Sequence, residues 1–224
     1  MEPTIPKVKT LFLLFVFLTG CSVSVCQDLI INEPALQSAI ARSLGVREQD
    51  LSKSLVEKSL TRLQANDLGI RDLSGLEYAK NLESLVVRDN LIDDLSPIQK
   101  LSKLNNLDLS GNRLKDLSSL VAYPDSSVSG THSTVDHSAL RILNLSRNRL
   151  LGLSGIEHFR SLAQLDVSEN SLIDLEGVGK LNELVNLYAQ GNQLGRIESF
   201  VDKNRNKEFD LGESFSDSSG NGKR

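Results

Sequence analysis

Residues 82–95 read Leu-Glu-Ser-Leu-Val-Val-Arg-Asp-Asn-Leu-Ile-Asp-Asp-Leu, and 22 residues later 104–117 repeat the design as Leu-Asn-Asn-Leu-Asp-Leu-Ser-Gly-Asn-Arg-Leu-Lys-Asp-Leu. Six copies align on the frame LxxLxLxxNxLxxLxxL when Leu60, Leu82, Leu104, Leu140, Leu162 and Leu184 are taken as starts, and four of the five steps are 22 residues. The second apolar column is Leu63, Leu85, Leu107, Leu143, Leu165 and Leu187; the third is Ala65, Val87, Leu109, Leu145, Val167 and Ala189. Asn90, Asn112, Asn148, Asn170 and Asn192 fill the ninth position, where the first copy has Leu68. The columns that begin at Ile70 and Leu73 are apolar in every copy. A unit this small cannot bury its own apolar edge, so neighbouring units must stack and share one interior.

The pattern resembles the leucine-rich-repeat signature. The resemblance implies an α/β solenoid: a right-handed superhelix with a parallel sheet on its concave side, a short N-terminal helical cap and an irregular C-terminal tail. The LxL portion alternates in and out like a strand, and six strands at about 4.8 Å per step span roughly 25 Å. The recurrent Asn is expected to close the turn after each strand, its amide satisfying backbone groups that the turn leaves unpaired. Leu68 departs from the column as terminal repeats usually do. Asp72, Asp94 and Asp116, each followed by Leu-Ser, read as caps for short helical turns on the opposite side.

Upstream, residues 34–45 predict a short amphipathic helix. Asn32 or Glu33 precedes Pro34 as a start signal, Leu36, Ile40 and Leu44 share one stripe, and Gly45 stops it. Such a helix covers the open end of the first coil. The order of helix, acidic linker and DLSGLEYAKNLESLVV resembles the internalin-type 22-residue repeat proteins of bacteria with their helical cap. What that implies is a non-catalytic protein-protein interaction module displayed outside the cytoplasm. The expected divisions are 1–20, a signal peptide; 21–59, linker and cap; 60–200, the repeats; and 201–224, an acidic tail.

Residues flanking the inward leucines form the concave face, and most are small or polar. Arg62, Val86, Arg88, Ile142 and Tyr188 are the candidate partner-binding residues, three apolar positions and two arginines of the kind that anchor interfaces. The same columns also fit a solvated face with scattered apolar residues. Lacking a dense aromatic cluster, the face suits modest or transient binding of an unidentified protein by a monomeric chain. A formal charge of −4 and the absence of Trp argue against nucleic acid as the partner.

Lys7 and Lys9 precede the apolar run of residues 11–19, which is shorter than the roughly 20 residues a helical span requires and has the length of a signal-peptide core. It ends in Leu18-Thr19-Gly20-Cys21, which resembles the bacterial lipobox and makes Cys21 a lipidation site and membrane anchor. Ordinary cleavage near Ser24-Val25-Cys26, giving a secreted protein, is the other reading. The chain's two cysteines both fall in this region, so no disulfide framework holds the repeats.

The 36-residue step between the third and fourth starts leaves an insertion of 14 residues within 121–138. Its Ser, Gly, Thr and Asp content predicts a solvated loop. His132, Asp136 and His137 lie there in no dedicated metal spacing. In the tail, Asp202, Asn204, Asn206, Asp210 and Glu213 take loop positions 1, 3, 5, 9 and 12, with Glu208 beside them. This resembles an EF-hand calcium loop, in which oxygen ligands wrap a hard cation and the last Glu closes it. Lys207 stands where Gly permits the sharp turn, and flanking helices are not evident. The alternatives are a weak calcium site, making the chain a calcium-stabilised structural or adhesive fragment of a larger surface protein, and an acidic solvated tail. No phosphate loop, GxSxG or HExxH occurs, so the chain is read as not an enzyme.

Overall fold

The computed structural model describes residues 29–121 and 137–194. Two helices come first, α1 (Pro34–Leu44) and α2 (Lys53–Ser59). Pro34 suits the first turn because its φ is preset and its missing N–H would have had no partner. Gly45 ends α1 at φ 68°, the left-handed conformation that satisfies the last carbonyls, with its N–H on the Arg42 carbonyl at 3.2 Å. Glu33 occupies the cap position without a side-chain bond to the helix. Asn32 instead donates to Asp72 at 3.1 Å and ties the approach to α1 onto the first coil.

α2 replaces the linker expected between cap and repeats. Ser52 caps it by accepting from the Leu55 N–H at 3.2 Å, and Val56 is its single buried residue. One buried position is too few for an apolar period to register in the sequence.

Six three-residue strands follow: β1 (Arg62–Gln64), β2 (Ser84–Val86), β3 (Asn106–Asp108), β4 (Ile142–Asn144), β5 (Gln164–Asp166) and β6 (Asn186–Tyr188). All pair in parallel and in chain order. The register sets Leu63, Leu85, Leu107, Leu143, Leu165 and Leu187 side by side. Leu107 and Leu143 pair directly, so the 36-residue step leaves the ladder in register. One leucine-rich core runs from Leu36 and Ile40 of α1 through every coil to Leu181.

The asparagines bridge coils as well as closing turns. Asn112 accepts from the Ile92 N–H of the preceding coil at 3.1 Å and donates to three carbonyls, those of Val87, Leu109 and Ser110, at 2.9 to 3.3 Å. Asn90, Asn148, Asn170 and Asn192 repeat the arrangement. Leu68 fits this logic. Its equivalent partners would be residues 43 and 48, which belong to α1 and to the one-turn helix Glu48–Asp50, not to a coil.

Short 3-10 turns, Leu76–Tyr78, Ser96–Ile98, Ile156–His158 and Val178–Lys180, return the chain toward the strands. The aspartates expected to cap them lie ahead of the cap positions, Asp72 three residues before Gly75 and Asp94 one before Leu95. Asp72, Asp94 and Asp116 accept from the N–H of Ser74, Ser96 and Ser118 at 2.7, 2.9 and 2.9 Å, forming Asx turns, while the cap positions themselves carry no side-chain bond. Hydrogen bonding from the Ser74 and Ser118 side chains, and then from their backbone amides, holds the carboxyls of Asp72 and Asp116 below the ordinary aspartate pKa.

Candidate interaction face

Side chains on either side of the inward leucines stand away from the core, in columns set by the strand register. The central columns are largely self-bonded. Asp108 accepts from both the N–H and the hydroxyl of Ser110, at 3.1 and 2.7 Å, and Asp166 does the same with Ser168 at 2.9 and 2.6 Å. Asn144 accepts from the Ser146 N–H at 2.9 Å. Ser110, Ser146 and Ser168 are buried by these bonds, although their column is nominally the surface.

Two of the five expected binding residues are changed by this network. Arg88 is not a free cation: its Nε donates to Asp108 Oδ2 at 2.7 Å, and the Asp108 side chain is only 6% exposed. Val86 is 8% exposed, part of the floor of the face, between Gln64 and Asp108 in the register. The Arg88–Asp108 pair was visible in the sequence, since opposite charges in adjacent columns of adjacent coils meet once the register is known. Arg62, Ile142 and Tyr188 are exposed as expected, the last two at 38% and 43%. Among the described residues the Arg62 guanidinium has no hydrogen-bond or ion-pair partner.

Where the chain leaves each strand, the residue at the eighth position is left-handed in every coil. Asp67, Asp89, Arg147 and Glu169 all have φ 54°, and Gly111 and Gly191 hold the same position at 69° and 71°. Asp89 and Arg147 pair at 3.1 Å although a whole coil lies between them. At the far end, Leu187 is 39% exposed, whereas its column mates from Leu63 to Leu165 are at most 1% exposed. Among the described residues, nothing packs on the outer side of β6 as α1 packs on β1.

Cys21, the calcium candidates Asp202, Asn204, Asn206, Glu208, Asp210 and Glu213, and most of the insertion with His132 and Asp136 lie outside the described residues. His137 lies within them and turns inward: its Nε2 is 3.1 Å from the Leu120 carbonyl and its ring centroid 5.1 Å from that of Phe159. It pins the returning chain to the coil it left. His158 keeps Nδ1 at 3.0 Å from the Gly155 carbonyl. Among the described residues no three His, Cys, Asp or Glu side chains gather as a metal site, and no helix is long and apolar enough to cross a membrane.

A family described as Leucine Rich repeats (2 copies) matches residues 80–122. The fold is a leucine-rich-repeat solenoid. Internalin C2 from Listeria monocytogenes is a solved structure of this kind, 27% identical, with a TM-score of 0.50 over 73% of this chain and 76% of that one. Internalin F from the same organism is 22% identical, with a TM-score of 0.44 over 77% of this chain and 61% of that one. The functional domain of internalin J, also from Listeria monocytogenes, is 21% identical, with a TM-score of 0.45 over 70% and 36%. No curated protein matches the sequence. Leucine-rich-repeat solenoids generally serve as binding scaffolds, their stacked units creating an extended surface.

Proposed function

We propose that this chain is a non-catalytic protein-binding module displayed outside the cytoplasm, with the outward face of its sheet as the binding surface. The observation that carries the reading is the face itself: a rigid six-strand ladder whose polar centre is internally satisfied, leaving Arg62, Ile142 and Tyr188 as exposed groups of the kinds that anchor interfaces. A surface already bonded within itself loses little order when a partner docks, which lowers the cost of association. The likeness to internalin C2 supports the same reading. Display would follow from the signal segment, with Cys21 as lipid anchor, and a calcium ion held by Asp202 to Glu213 would order the chain beyond β6.

The test is site-specific photocrosslinking. A benzophenone side chain placed at Gln164 on the face should capture a protein that excess unlabelled chain displaces, while the same probe at Lys115, outside the sheet, should not. Equal capture from both positions, or none from Gln164, Asn186 and Arg62 in turn, would remove the sheet face from consideration.

A further inference from the structure

A shallow groove crosses the first four strands at the edge where the chain enters them. Arg62, Ser84, Asn106 and Ile142 line it from one column, with Glu83 and Lys103 beside them. We propose that this groove receives an extended acidic segment of a partner protein, placing a carboxylate on Arg62 and an apolar side chain on Ile142. The proposal rests on the reading of the sheet face as a protein-binding surface, and adds to it the partner's chemistry and spacing.

Arg62 supplies the first contact. Its guanidinium has no partner among the described residues, and a planar fork of donors matches a carboxylate in two parallel bonds. Ile142 supplies the second, an exposed aliphatic side chain in the same column. Three strand steps separate them, about 14 Å. An extended chain advances roughly 3.3 to 3.6 Å per residue, so the two partner side chains should lie about four residues apart.

The floor between these points suits a main chain. Asn106 donates to the Ser84 hydroxyl at 3.2 Å, which fixes its amide and leaves the amide oxygen for an incoming N–H. Charge sets the side of the face that is used. Around the groove itself Arg62, Lys103 and Arg141 stand against Glu83, whereas at the opposite edge Asp67, Asp89 and Glu169 stand against Arg147 and an Arg88 already paired with Asp108. An acidic segment is therefore drawn to the groove. Glu83 in the groove disfavours a uniform polyanion and favours a segment with a single well-placed carboxylate.

The experiment is selection of a random twelve-residue peptide display library on the full chain, followed by anisotropy with synthetic copies of the enriched peptides. Enriched sequences should carry Asp or Glu four residues from Leu, Ile, Val or Phe. Arg62→Gln and Ile142→Ser should each weaken binding by about tenfold, the size expected for truncating an interface anchor. Arg71→Gln, an exposed arginine outside the sheet, should leave it unchanged, and melting curves should show all three variants folded. Enrichment without that spacing, or affinity indifferent to both groove variants, overturns the proposal. Binding of phosphatidylserine vesicles or dextran sulfate through Arg62 in preference to the peptides overturns it too, showing a general anion site. If capture fails only when Tyr188 or Gln164 is changed, the groove is wrong while the sheet-face reading stands; if no change on the face matters, both fall.

Discussion

Asp89 and Arg147 form an ion pair at 3.1 Å that reaches across the intervening coil. The residue beneath it is Gly111, and a Cβ there would lie against the Asp89 carboxylate. The glycine is favoured by its φ of 69°, which Asp67, Asp89, Arg147 and Glu169 adopt at the same position only with strain, and required by the side chain that passes over it. Gly111→Ala should cost about 1 to 2 kcal/mol, most of it left-handed backbone strain, because an exposed pair contributes at most about 1 kcal/mol. Removing Asp89 as well should recover part of the loss. Chemical denaturation of the single and double variants measures both effects, and a Gly111→Ala cost no larger than that of the open Gly152→Ala would refute the packing argument.

The asparagine ladder predicts a sharper loss. Asn112→Ala orphans the buried Ile92 N–H and removes one of two donors from each of the carbonyls of Val87, Leu109 and Ser110, which keep Asn90, Asn148 and the Asp89 N–H. Since one unsatisfied buried group costs about 1 to 3 kcal/mol, the substitution should remove about that much. Asn106→Ala, on the outward face, should stay within about 0.5 kcal/mol. Similar values for the two would mean that the ninth-position amide is not what joins the coils.

The ladder and the strand register were legible because both recur: a column repeated six times identifies its own environment. Features set by local geometry were not. α2 has a single buried residue, Val56, and so no period; the Asx turns at Asp72, Asp94 and Asp116 differ from helix caps by one residue of geometry that composition does not encode. On the face, alternation assigned Ser110 to the surface, and its hydrogen bonds to Asp108 bury it instead. Alternation tells which way a side chain leaves the backbone, not what closes over it. That is why Arg62, Ile142 and Tyr188 stand exposed as expected, while Val86 is buried and Arg88, still exposed, is held by Asp108.

Acid stability should report the Asx turns. Hydrogen bonds to Ser74 and Ser118 lower the folded pKa of Asp72 and Asp116 below the unfolded value, so the unfolded chain binds the proton more readily. Their contribution is therefore full above the ordinary aspartate pKa of about 4 and is lost as pH falls through the lower, folded value. The Asp72→Asn, Asp116→Asn double variant should melt below the wild type at pH 6 and converge with it once the pH has fallen through the folded carboxyls' titration. Parallel melting curves across that range would show that neither carboxylate is coupled to folding.

Display outside the cytoplasm predicts a modified mature N-terminus. Mass spectrometry of membrane-extracted protein should find Cys21 as the lipidated first residue, and Cys21→Ala should move the chain into the soluble fraction. A mature chain starting at Gln27 without lipid would favour secretion by ordinary cleavage.

The tail predicts a weak calcium response tied to the exposed end of the solenoid. Asp202, Glu208, Asp210 and Glu213 place four carboxylates within twelve residues, and their repulsion is relieved by a divalent ion. Lys207 at the tight-turn position weakens such a loop, so the dissociation constant should fall near the 10⁻⁴ to 10⁻³ M range of extracellular modules, an order-of-magnitude expectation. The tail follows β6, where Leu187 is the partly exposed member of an otherwise buried column. If the loaded loop orders chain over that leucine, millimolar calcium should raise the melting temperature by mass action. It should also lower the exchange rate of amides around Leu187, leaving those around Leu107 unchanged. Asp202→Ala or Glu213→Gln should abolish both effects without unfolding the repeats. Calorimetry without calcium heat, and melting indifferent to chelator, would leave the tail as a solvated acidic segment.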